Sequence, residues 1–158
     1  MNTLSILLID DDCEDREVLA KILVELNPNI NCLHALNGSD ALQLLDKISP
    51  LPQYIFLDIM MPVMSGKECL RKIKENKRLK NIPVVIYATT KYIADIEDAK
   101  ILGASYYMTK PVNREEIRSS LKMILSHDLH KDNTSTMIFL NTVIAYQNNK
   151  DYFFQNLN

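Results

Sequence analysis

The stretch LSILLIDDDCEDRE, residues 4–17, runs six mostly apolar residues straight into three consecutive aspartates, Asp10, Asp11 and Asp12. An apolar run of that length reads as a buried strand. Like charges about 4–5 Å apart repel by roughly 3–4 kcal/mol at an effective dielectric near 20, so the cluster calls for a cation, a proton or full exposure to water. Four further apolar runs follow, INCLHAL (30–36), YIFL (54–57), PVVIY (83–87) and ASYYM (104–108). Most are apolar throughout, as parallel strands covered on both faces are.

Amphipathic stretches at helical spacing separate these runs. Val18, Leu19, Ile22, Leu23 and Leu26 make one stripe, and Ala41, Leu42, Leu44, Leu45 and Ile48 a second. Cys69, Leu70 and Ile73 continue the series, then Ile93, Ile96, Ala99 and Leu102, then Ile117, Leu121, Ile124 and Leu125. Ser39 is placed to cap the second helix, Gly103 to stop the fourth, and Asn113 with Glu116 to open the fifth as a capping box. Five strands alternating with five helices predict an α/β fold with a doubly wound parallel sheet. Ligands bind outside the carboxyl ends of the strands in such a sheet. That edge collects Asp10 to Asp12 after strand one, Asp58 after strand three, Ala88, Thr89 and Thr90 after strand four, and Thr109 and Lys110 after strand five.

Composition sets the outer bounds. The chain has 158 residues, 47% hydrophobic and 24% charged, with a net charge of −2. That is enough for one well-buried core, and the charge gives no support to nucleic-acid binding. Cys13, Cys32 and Cys69 are odd in number and form no CxxC pair, which argues against a disulfide framework or a zinc site. No stretch approaches the ~20 apolar residues that span a bilayer, and a cytoplasmic location is expected.

Singly, each polar group at the sheet edge has an ordinary explanation: Asp12 as a helix cap, Asp58 as a turn residue, Lys110 as an exposed base. Their convergence on one edge does not. Several carboxylates around one point suit a hard cation held by oxygen, and Mg²⁺ fits best, taking one or two carboxylates and sharing the rest with water and a phosphate. Lys110 would pair with phosphate oxygens as a point charge. Asp58 is then either a metal ligand or a nucleophile forming an acyl phosphate.

The segments LLIDDDCEDRE, YIFLDIMMPVMSGKECL, IPVVIYATT and GASYYMTKPV resemble the receiver domain of response regulators in two-component signalling, the CheY-like family. The resemblance runs from residue 4 to about 125 and implies a flavodoxin-like sheet of order 2-1-3-4-5. It also implies Asp58 as phosphoacceptor and Asp10 and Asp11 as the acidic pair at Mg²⁺, with Asp58 and the backbone carbonyl of Met60 completing the metal site. Lys110 matches the lysine that contacts the phosphoryl group, Lys110–Pro111 the family's cis peptide, and Tyr107 the switch aromatic. The implied partners are a sensor histidine kinase or phosphotransfer protein and a downstream protein target, with no DNA and no membrane. A homodimer through helix four, helix five or the tail is compatible with this. Beyond self-phosphorylation and self-dephosphorylation, no enzyme activity is expected. The IPVV strand and the tail are similar to receivers paired with phytochrome-type kinases.

One position departs from the family. Thirty residues after Asp58 and twenty-two before Lys110, where Ser or Thr is usual, stands Ala88. Thr89 would reach the phosphate from the next position only if the strand end bulged. Weakened or biased coupling to Tyr107 is the expectation, with compensation by Thr89 or Thr90 as the alternative. Ala88 is also the best argument for a pseudo-receiver, an interaction module not switched by phosphorylation. A phosphatase of the haloacid-dehalogenase type would use Asp10 and Asp12 as its D-x-D, but it leaves the Asp58 segment unexplained.

Residues 1–126 read as the receiver domain and 127–158 as an extension without an output domain. Within it, MIFLNTVIAY (137–146) suits a strand or short helix and DYFF (151–154) an anchor. His127 and His130 lack the further ligands of a metal site. The basic run from Lys67 to Lys80 on helix three, interspersed with Glu68 and Glu75, reads as a solvated face.

Overall fold

The computed structural model describes residues 3–126 and the backbone of residues 138–140. Strands β1 (Leu4–Ile9), β2 (Ile30–Ala35), β3 (Tyr54–Leu57), β4 (Val84–Ala88) and β5 (Tyr106–Thr109) alternate with helices α1 (Cys13–Leu26), α2 (Gly38–Lys47), α3 (Gly66–Glu75), α4 (Ile93–Ile101) and α5 (Arg114–Ser126). The five strands are parallel in the order 2-1-3-4-5. A short β6 (Ile138–Leu140) pairs in parallel outside β5, so the strand alternative holds for that part of 137–146. His127, His130 and the 151–154 segment lie outside the described residues.

Side chains alternate across the strands and divide the core in two. Leu7, Ile9, Ile55, Leu57, Val84, Ile86, Ala88 and Tyr107 pack with α2, α3 and Ala99 of α4. Ile6, Leu8, Phe56, Val85, Tyr87, Tyr106 and Met108 pack with α1 and α5. The expected stripes of α1, α2, α3 and α5 supply the facing residues, with Val18 partly outside the stripe. Helix α4 is the exception: Ala99 is its one buried residue, and Ile93 is 70% exposed.

Asp12 caps α1, its carboxylate accepting from the N–H of Glu14 at 2.8 Å and of Asp15 at 3.3 Å. Helix α2 begins two residues earlier than Ser39 predicts. Asn37, extended just before Gly38, accepts from the N–H of Asp40 at 3.0 Å, and Ser39 falls in the first turn. Gly103 ends α4 with φ +90, a conformation that favours glycine. Asn113 accepts from the N–H of Glu116 at 2.9 Å, and its amide donates to the Glu116 carboxylate at 2.6 Å. The return bond of this box therefore comes from the Asn side chain rather than its backbone.

Candidate functional site

The sheet register assembles the site. Ile9 lies beside Leu57, Leu57 beside Ile86, and Ala88 beside Thr109. The residues that follow continue the ladder by one rung. The N–H of Asp58 donates to Ile9 C=O at 2.9 Å, and that of Lys110 to Ala88 C=O at 2.8 Å. Strand ends thus carry Asp10, Asp58 and Lys110 to one edge.

Lys110 Nζ lies 2.7 Å from Asp10, 2.7 Å from Asp15 and 3.9 Å from Asp58. It also stands 5.5 Å over the Tyr87 ring, on the α1–α5 face of the sheet. Asp10 and Asp58 are buried. Burial raises both carboxyls, Asp58 to about 6, more than the neighbouring Lys110 lowers them. Burial acts in the opposite sense on Lys110, but its bonds to Asp10 and Asp15 prevail and hold it charged. The Asp58 carboxylate accepts from the N–H of Ile59 at 2.8 Å, and the Met60 amide adds a second backbone contact. Met60 itself sits on the exposed turn after β3.

One carboxylate oxygen each from Asp10, Asp11 and Asp58 lies within 4.8 Å of the others. Ligands facing each other across a hard cation stand roughly 4–5 Å apart, twice the usual metal–oxygen distance, so these residues fit Mg²⁺ or a similar ion. The donor set is all oxygen and all acidic, as such an ion prefers.

The turn from Asp58 to α3 is closely packed. Gly66 donates its N–H to Ile59 C=O at 2.9 Å, and a Cβ on Gly66 would stand 1.9 Å from the Asp58 carbonyl oxygen. Only glycine allows that approach. Inside the same turn Val63 has φ 69, left-handed for a β-branched residue, while Met64 N–H donates to Pro62 C=O at 2.7 Å.

The switch positions have a different character. Ala88 is fully buried at the end of β4, on the same face as Tyr107. Thr89 is exposed on the following bend. The Thr90 hydroxyl donates to Asp95 at 2.9 Å and accepts from the N–H of Tyr92 at 3.2 Å, so it serves the start of α4. Tyr107 is buried, and its hydroxyl donates to the Thr90 carbonyl at 3.1 Å. Burial and the negative charge of Asp95 push this phenol up to about 12, with Lys67 opposing and Asp58 adding.

The predicted cis peptide at Lys110–Pro111 is not found. Among the described residues the cis bond is Ser49–Pro50. The two forms of an X–Pro bond differ by only ~0.5–1 kcal/mol, so local packing decides between them. Asp15 was missed as a site residue because an acid in the first turn of a helix already has a reason to be there. Its separation from Lys110 gives no local signal. Lys67 departs from the solvated face expected of the basic run: its amine bridges to Asp95 and Asp98 of α4, each at 2.7 Å. Glu68–Lys72 and Arg71–Glu75 do form the surface pairs of such a face.

Residues 6–122 match the response regulator receiver domain. The chain is 32% identical over 120 residues to protein PilG of Pseudomonas aeruginosa, covering 75% of this chain and 85% of that protein. It is 33% identical over 120 residues to two-component response regulator ORR11 of rice (Oryza sativa), covering 76% and 80% respectively. Among solved structures it superposes on the phosphorylated cyanobacterial phytochrome response regulator RcpA with TM-score 0.72, at 26% identity and over 78% of this chain and 91% of that one. It also superposes on the Mn²⁺-bound form of response regulator Rcp1 with TM-score 0.67, at 28% identity and over 82% and 97%. The chain belongs to the response regulator receiver family, the CheY-like domains of two-component systems.

Proposed function

We propose that the protein accepts a phosphoryl group on Asp58 from the phosphohistidine of a sensor histidine kinase or phosphotransfer protein. It then signals by contact with a downstream protein in the cytoplasm. The observation that carries this reading is the convergence of three carboxylates and one held lysine on the edge where β1, β3 and β5 end. An oxygen of Asp58 attacks phosphorus, the donor's P–N bond breaks, and its electron pair leaves with the imidazole. Asp10, Asp11, Asp58 and the Met60 carbonyl would hold Mg²⁺, which supplies charge neutralisation between the anionic nucleophile and the anionic phosphoryl group. Lys110, already 3.9 Å from Asp58, supplies the cationic contact to the phosphoryl oxygens. The backbone amides of Ile59 and Met60 hold the Asp58 carboxylate oriented. The protein is the recipient in this transfer, and no substrate turnover is assigned to it beyond making and hydrolysing its own acyl phosphate.

The second reading, an interaction module that phosphorylation does not switch, rests on Ala88 alone. Intact mass after incubation with Mg²⁺ and acetyl phosphate separates the two. A gain of one phosphoryl group is expected, lost with EDTA and absent in Asp58→Asn. No gain in the unsubstituted protein would favour the interaction module.

A further inference from the structure

The hydroxyl usual at position 88 is absent, yet an unbroken chain of contacts joins the Asp58 turn to Tyr107 by another path. Gly66 is tied to that turn by its bond to Ile59 and its approach to the Asp58 carbonyl. The next residue, Lys67, places Nζ 2.7 Å from one Asp95 carboxylate oxygen. The other Asp95 oxygen accepts from the Thr90 hydroxyl at 2.9 Å, and the Thr90 carbonyl accepts from the Tyr107 hydroxyl at 3.1 Å. Every link joins a different element: the β3–α3 turn, α3, α4, the β4–α4 loop and β5.

We propose that Lys67, Asp95 and Thr90 are positioning residues that couple the Asp58 turn to Tyr107, a route that does not pass through residue 88. This rests on the proposed function, and on the family resemblance that makes Tyr107 the element reporting the state of Asp58. The physical argument concerns what fixes the Thr90 carbonyl. Helix α4 has no side-chain cap from Tyr92, and its contact with the core is thin. The Thr90 hydroxyl, held by Asp95 and by the Tyr92 N–H, therefore orients the loop that presents the carbonyl. Lys67 holds Asp95 in turn. An isolated exposed ion pair would do little. This one is only 31% and 25% exposed at its two ends and is continued by two hydrogen bonds, so its members act together. Lys67 also bonds Asp98, but that branch leads away from Thr90.

The test uses the full chain labelled with fluorotyrosine, its Tyr107 signal identified by loss in Tyr107→Phe. In the unphosphorylated protein, Lys67→Met and Thr90→Val are expected to shift that signal. The ratio of hydroxyl-bound to released ring should fall roughly three- to tenfold, the range set by the net worth of one hydrogen bond. Lys67→Arg should restore it, and Asp98→Asn should leave it in place. The remaining tyrosine signals report whether each variant is folded. An unmoved Tyr107 in folded Lys67→Met, or an equal shift in Asp98→Asn, overturns the proposal. With Mg²⁺ and acetyl phosphate, Lys67→Met should gain the same phosphoryl mass as the unsubstituted protein while its Tyr107 responds less. If neither protein gains mass, the phosphoacceptor reading fails, and the unphosphorylated comparison still decides the route.

Discussion

Two halves of one site meet at this sheet edge, and they are built differently. At the ends of β1, β3 and β5, the charged groups of Asp10, Asp58 and Lys110 are buried or nearly so and engaged with one another. At the end of β4, position 88, on the same face as Tyr107, carries only a methyl group, and the hydroxyl of Thr90 two residues further on is committed to α4. In the proposed function, the first half takes the phosphoryl group. In the same proposal, the second converts that event into a change of shape. Since one half brings its acids and lysine together and the other has a methyl group where the family has a hydroxyl, the proposed function treats capturing phosphate and transmitting its presence as separable.

The sharpest way to break this contrast is Gly66→Ala. A Cβ 1.9 Å from the Asp58 carbonyl must displace backbone, and a loss of roughly 3 kcal/mol or more in urea unfolding is expected, the upper end of what overpacking costs. A neutral result would mean that the acceptor half is as forgiving as the other. Lys110→Met comes next. It strands buried carboxylates without their counter-charge, and roughly 3 kcal/mol of stability should be lost in EDTA and partly regained in Mg²⁺. Equal losses in both conditions would show that the cation does not share the lysine's task.

The titration of Asp58 gives a third test. Its folded value of about 6 lies above the ordinary 3.8, so the folded state binds more protons than the unfolded state between those values. Stability without Mg²⁺ should therefore fall as pH rises from about 4 through 6, by an amount on the order of 2–3 kcal/mol. Asp58→Asn should flatten that slope and be the more stable protein at pH 7. A slope unchanged in Asp58→Asn would place its origin elsewhere.

Ala88→Ser sharpens the comparison from the other side. It adds one hydroxyl to a charged acceptor, worth about 1.5–3 kcal/mol, and only once phosphate is present. Thermal unfolding should accordingly show a larger gap between phosphorylated and unphosphorylated forms in Ala88→Ser than in the unsubstituted chain. An equal gap would mean that the hydroxyl at 88 does not reach the phosphoryl group in this fold.

The fold and the acidic edge were legible because both follow from the strand period. Apolar runs at regular intervals name the strands; Asp10 and Asp58 come directly after two of them, and Lys110 one residue beyond a third. Parallel strands in register then carry those ends to one edge. The inward lean of Lys110 toward Asp15, and the bridge from Lys67 to Asp95, depend on how helices sit across the sheet. No local pattern reports that. Helix α4 shows the same limit, since Ile93 has helical spacing yet faces solvent where the helix barely meets the core. Asn37 displaced Ser39 as the cap of α2 because both are good caps and the chain turns at the earlier one.

The most direct measurement follows phosphoryl mass gain over time in the unsubstituted protein and Ala88→Ser side by side, with Mg²⁺ and acetyl phosphate. Both should gain one group at similar rates, because the residues that receive it are the same in both. A gain confined to Ala88→Ser would contradict this account, since the acceptor half would then fail without the missing hydroxyl.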